Sequence, residues 1–86
     1  MQNKNALEIG DTGNDVFSLQ IRLSNLGFLI NKIEVTNKEF GADTQEKLKD
    51  FQKFRGLKTS GVLDEITKAV LLEAAFKLGN LSLIHI

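Results

Sequence analysis

FGADTQEKLKDFQKFRGL, residues 40–57, is the stretch that decides the fold. The chain has six phenylalanines, and Phe40, Phe51 and Phe54 all fall here, in a stretch fenced by Gly41 and Gly56, with Phe40 just before the first glycine. Thr44, Leu48 and Phe51 share one face at helical spacing, with Phe54 beside it. Asp43 and Glu46 load the first turns with negative charge, and Lys53 and Arg55 load the last with positive charge. Both ends therefore suit the helix dipole. Gly41 suits an N-cap. Gly56 followed by Leu57 reads as a left-handed stop with an apolar contact. The pattern predicts a helix from Ala42 to Arg55, with phenylalanines that fill a core.

Upstream, residues 14–27 read NDVFSLQIRLSNLG. Val16, Leu19, Leu23 and Leu26 make one stripe, widened by Phe17 and Ile21. Asp11 and Thr12 are capping types and Asp15 sits in the first turn. Gly27 and Phe28 repeat the stop seen at Gly56 and Leu57. Downstream, a third helix is predicted from about Glu65 to Leu78, with Asp64 as its N-cap and Thr67 three residues on. Its apolar face is Ile66, Ala69, Val70 and Ala74, extended by Leu72 and Phe76, and Gly79 ends it. Gly61 marks the turn before it. Residues 28–40 do not read as helix. Ile33 and Val35 alternate with polar neighbours, as in one short strand or an extended loop. The expected fold is all-α, a three-helix bundle with one long irregular loop between helices 1 and 2. Leu23, Phe40, Leu48, Phe51 and Val70 supply its centre.

The totals narrow the function. At 86 residues the chain is one small domain. Eleven basic and eleven acidic residues cancel, so the charge excess of a nucleic-acid binder is missing. Asp43, Glu46 and Asp50 interrupt the cluster Lys47, Lys49, Lys53, Arg55 and Lys58, which reads as a solvated face. No stretch reaches the roughly 20 apolar residues of a membrane span, and the N-terminus lacks a secretory signal. Without cysteine, and with His85 as the only histidine, thiol chemistry and the usual triad and zinc arrangements are not available. No cofactor or metal is expected. Glu34 and Glu39 could formally pair as glycosidase carboxylates, but read more simply as loop charges. GDTG at 10–13 lacks the lysine of a phosphate loop and reads as a turn.

Two helix starts repeat each other. Phe40, Gly41, Thr44 and Leu48 match Leu63, Asp64, Thr67 and Leu71 in spacing. In each, the threonine hydroxyl can serve backbone groups that lack helical partners. The order of these pieces resembles the small three-helix peptidoglycan-binding domain attached to many cell-wall hydrolases. The matching segments are residues 9–16, Leu19-Gln20-Ile21-Arg22-Leu23, Leu26-Gly27-Phe28, Phe40-Gly41-Ala42-Asp43-Thr44, Phe51-Gln52, Gly56-Leu57 and Gly61 to Thr67. Together they span about residues 7–74. The chain departs from the family pattern where Asn37-Lys38 replaces Asp-Gly, where Ser60 precedes Gly61, and where Asp64 replaces a glycine. Its loop from Phe28 to Asn37 is also longer. Lys38 for glycine predicts a different backbone path at that turn.

The resemblance implies non-catalytic binding of peptidoglycan, through its glycan or stem peptide, by an accessory module of bacterial or phage origin. It implies a covalently linked hydrolase domain as partner, and a cell-wall or extracellular location reached with or without a secretory route. Nucleic acid and membrane are not expected partners. A shallow groove with amides and an aromatic face would serve such a ligand. Gln20, Phe28, Asn31 and Asn37 are the candidate ligand-binding residues, although Phe28 also suits a cap contact and the asparagines suit turns. The alternative is a protein-interaction or pro-segment module that packs on a neighbouring domain and binds no glycan. Residues 1–80 form the expected domain. The apolar tail LSLIHI at 81–86 suggests that Ile86 is not the end of the natural protein.

Overall fold

The computed structural model describes residues 6–74. The order is α1 (Asn14–Asn25), α2 (Lys32–Asn37), α3 (Ala42–Phe54) and α4, helical from 65 to 74, with no strand among the described residues. The expected three helices are present, and α2 is the addition. The predicted stop at Gly79, together with Phe76, His85 and the tail at 81–86, lies outside the described residues.

The core follows the helical stripes. From α1 come Val16, Leu19 and Leu23, from α3 come Leu48 and Phe51, and Phe40, Leu63 and Leu71 complete it. Val70 packs against this cluster half-buried. Two expectations fail on the rim. Phe54 is 75% exposed, and Ile66 is 68% exposed. In α4 the inward face is instead Thr67 and Leu71, continuing the line of Leu63. The cause is a polar anchor that sets the rotation of the helix. Gln52 of α3 donates to the Thr67 hydroxyl at 3.0 Å, and this turns neighbouring Ile66 toward solvent.

Helices α1 and α3 end alike. Phe28 N–H bonds Leu23 C=O at 2.9 Å and Gly27 N–H bonds Ser24 C=O at 3.0 Å. Leu57 N–H bonds Gln52 C=O at 2.7 Å and Gly56 N–H bonds Lys53 C=O at 3.1 Å. Both are paired-bond stops with a left-handed glycine, at φ 100° and 73°. Helix α2 ends the same way without a glycine. Glu39 N–H bonds Glu34 C=O and Lys38 N–H bonds Val35 C=O, while Lys38 itself is left-handed at φ 54°, ψ 43°. So Lys38 adopts the conformation a glycine would take, contrary to the expected change of path. A non-glycine residue there costs roughly 1–2 kcal/mol. Its ammonium is held by Asn14 Oδ1 at 2.8 Å and lies 5.4 Å from the centre of the Phe17 ring.

Residues 7–13 strap the helix starts together. Leu7 and Leu63 exchange both backbone hydrogen bonds, at 3.2 and 2.8 Å. Thr12 pairs with Glu39 in a second antiparallel bridge, flanked by Phe40 N–H to Asp11 C=O.

Candidate functional site

The region read as loop holds α2, and its most consequential side chain is Glu34. Asn31 caps the helix, accepting from Ile33 N–H at 2.8 Å. This presents Glu34 to the start of α3. Its carboxylate accepts from the backbone N–H groups of Gly41, Asp43 and Thr44 at 3.2, 3.0 and 2.8 Å, and from the Thr44 hydroxyl at 2.7 Å. A Cβ at Gly41 would stand 2.6 Å from the carboxylate, so a larger residue there would have to displace the Glu34 side chain. Partial burial pushes the Glu34 carboxyl up, but the bonds from Asp43, Thr44 and Gly41 outweigh it, and the group sits below its ordinary value. A glycosidase acid needs the opposite shift. With these four bonds spent on the start of α3, Glu34 is a helix cap and not a solvent-facing loop charge.

Beneath α2 lies Gln20, wholly buried. Its amide nitrogen donates to Thr44 Oγ1 and Glu39 C=O at 3.0 Å each, and to Glu34 C=O at 3.3 Å. No ligand can touch it in this arrangement, so it supports the site rather than forming it. Phe28 is half-buried, edge-on to Phe51 with centroids 5.9 Å apart, and its ring also meets Phe54 at 6.2 Å. Asn31 is exposed at the start of α2, where its N–H donates to Asp43 Oδ2 at 2.6 Å. Asn37 is exposed at the end of α2. Asn31 and Asn37 bracket one short helix, about 9 Å apart along its axis. Phe28 belongs to a separate aromatic cluster.

Two hollows lined by described residues lie elsewhere, on either side of α1. A cleft of about 310 Å³ separates α1 from α4. Leu7, Leu19, Leu63, Leu71 and Leu72 give it apolar walls, and Asp15, Ser18, Arg22 and Lys68 give it polar groups. An open depression of about 380 Å³ lies on the other side, lined by Phe17, Ser18, Ile21, Arg22 and Asn25. Ser18 and Arg22 border both. None of Gln20, Phe28, Asn31 and Asn37 lines either hollow. The local signal for α1 was present, since Asp15, Ser18 and Arg22 stand at i, i+3 and i+7 beside the buried stripe. What α4 sets opposite them has no local signal.

Among the described residues, no group of three His, Asp or Glu side chains could hold a metal, and no helix is long and apolar enough to cross a membrane.

Known proteins share this scaffold. The chain is similar to the N-acetylmuramoyl-L-alanine amidase CwlM of Mycobacterium tuberculosis, at 31% identity over 98% of this chain. It spans 22% of that amidase's length. The crystal structure of the SleB N-terminal domain superposes with a TM-score of 0.76 at 34% identity, covering 84% of this chain and 96% of that one. The L,D-transpeptidase from Xylanimonas cellulosilytica gives 0.75 at 35% identity, over 87% of this chain and 35% of the other. The family model of the peptidoglycan binding domain matches residues 12–71. That match runs from the strap before α1 to Leu71 in α4, across both buried glutamines and all three paired-bond stops, and by it the chain belongs to the peptidoglycan-binding domain family.

Proposed function

We propose that this domain binds bacterial cell-wall peptidoglycan without cleaving it, and holds an attached hydrolase on its polymer at the cell wall or outside the cell. The observation that carries this is the family match over residues 12–71. Support also comes from the similarity to the N-acetylmuramoyl-L-alanine amidase CwlM, a cell-wall enzyme by name. Glu34, one of the two carboxylates that could formally pair by sequence, is committed to the α3 cap. Tethering raises the local concentration of polymer around a linked enzyme, so weak binding by the module is enough.

The test is sedimentation with purified sacculi. The isolated chain is expected to co-pellet, and soluble wall fragments to compete it away. A chain that stays in the supernatant at every sacculus concentration overturns the proposal. One feature favours a second role in docking on a neighbouring domain: Phe54 is 75% exposed while its ring lies on Phe28. Under that role, Phe54→Ser weakens association with the neighbouring domain and leaves sacculus pelleting unchanged.

A further inference from the structure

We infer that the cleft between α1 and α4 holds the carboxylate-bearing end of a peptidoglycan stem peptide, with Arg22 and Lys68 as its anion-binding pair; this rests on the wall-binding role proposed above. Asp15, Ser18, Leu19 and Arg22 lie on one side of α1, and Lys68, Leu71 and Leu72 on the facing side of α4. Five leucines and four polar or charged side chains line the cleft, a make-up suited to a small amphiphilic ligand.

The two cations mark the chemistry. Arg22 is half-buried, and among the described residues neither its guanidinium nor the Lys68 ammonium has a side-chain hydrogen bond or an ion pair. By contrast, Lys47 is paired to Asp43 at 2.9 Å and Lys38 is bonded to Asn14. A partly desolvated guanidinium with an unused fork of donors is suited to a carboxylate taken in two parallel bonds. A neutral glycan offers hydroxyls and amides, which use neither cation well. A stem peptide offers free carboxylates, small alanine side chains for the leucine walls, and the amine of its diamino acid. Asp15, about two helical turns from Arg22 on the same face, suits that amine.

Two measurements on the 86-residue chain test this. Titration followed by amide chemical shifts would compare a free stem peptide ending in its carboxylate with the same peptide amidated at that end. The free acid is expected to bind at least about tenfold tighter and to shift residues of α1 and α4. Sacculus pelleting would compare wild type with Arg22→Gln and Lys68→Gln, each verified as folded by its spectrum. Arg22→Gln is expected to weaken pelleting about tenfold or more, and Arg22→Lys to recover part of it. Equal binding of the acid and amidated peptides overturns the inference without involving any variant. So does competition by a neutral N-acetylglucosamine oligosaccharide as strong as that by intact fragments. If wild type pellets and Arg22→Gln pellets as well, the cleft is wrong while wall binding stands. If wild type does not pellet, the wall-binding role falls and the cleft assignment with it.

Discussion

Gln20 and Gln52 hold matching places in two halves of the molecule, but their surroundings differ. Each is buried on a helix and donates at 3.0 Å to a threonine hydroxyl in the first turn of a later helix, Thr44 or Thr67. Each threonine also meets a capping carboxylate. In the second half that carboxylate is Asp64, which accepts from Thr67 N–H at 2.8 Å only three residues away. In the first half it is Glu34, which reaches Thr44 from ten residues upstream. Gln52 uses its whole amide, since its oxygen accepts from Gly61 N–H at 2.9 Å. The Gln20 oxygen is buried with no hydrogen-bond partner among the described residues. One half is closed by local bonds. The other is closed by a side chain delivered from α2, with one polar atom left over.

The largest effect expected from this contrast is on stability. Gln52→Leu strands the buried Gly61 N–H and is expected to cost about 2–4 kcal/mol. Gln20→Leu takes its amide donors from the Glu39 and Glu34 carbonyls but also removes a buried oxygen without a partner among the described residues, and is expected to cost less, about 1–2 kcal/mol. Urea unfolding of the two variants measures the difference. Equal losses would dissolve the asymmetry.

Next comes Gly41→Ala, where the backbone is extended at φ −104° and only the Glu34 carboxylate is in the way. A loss of about 1–3 kcal/mol is expected as the cap is displaced. In a Glu34→Ala background the same change should cost little, and a double-mutant cycle reads that coupling directly.

Acid sharpens the comparison further. Glu34 titrates below its ordinary value of 4.5 in the folded chain. The unfolded chain therefore takes up the proton first, and stability falls as pH drops below about 4.5 and through the lower folded value. Glu34→Gln should flatten this acid loss in part. Asp64 is also held low, by the backbone and side-chain bonds of Thr67, and keeps its own share. An unchanged acid profile would mean that Glu34 is not the cap in solution.

Smaller still, Asp64→Ala should cost about 0.5–2 kcal/mol, the ordinary loss of a local N-cap. It should be additive with Glu34→Ala if the halves are independent. Lys38→Gly should change stability by less than about 1 kcal/mol, because relief of the left-handed lysine offsets the lost bond to Asn14. A large change in either direction would show that Lys38 does more than close α2.

Residues 14–27 and 40–57 disclosed α1 and α3 directly, because apolar spacing, charge placement and glycine stops all act within one helix. The Asp64 cap and the Gly61 turn were legible for the same reason. The recurrence of a helix start followed by threonine was also visible, but not its cause, since Gln20 and Gln52 meet those threonines 24 and 15 residues away. Helix α2 was not legible. Ile33, Val35 and Thr36 are β-branched and disfavour helix, six residues are too few to hold helix alone, and none of them is buried. Bonds from Gln20 to the Glu34 carbonyl and from α3 to the Glu34 carboxylate hold it in place.

The candidate site divides the same way. Phe28, Asn31 and Asn37 could be seen as residue types suited to a ligand, and Gln20 as a polar residue on an apolar stripe. Burial removed Gln20, and packing moved Phe28 into an aromatic cluster. By itself the sequence determined the three main helices, the stops of α1 and α3 and the apolar face of both, because those depend on neighbours within a turn or two. Only the tertiary structure decided the existence of α2, the role of Glu34, the rotation of α4 and the pairing of Arg22 with Lys68 across a cleft. Each of these depends on side chains brought together from distant parts of the chain, where no local periodicity can register them.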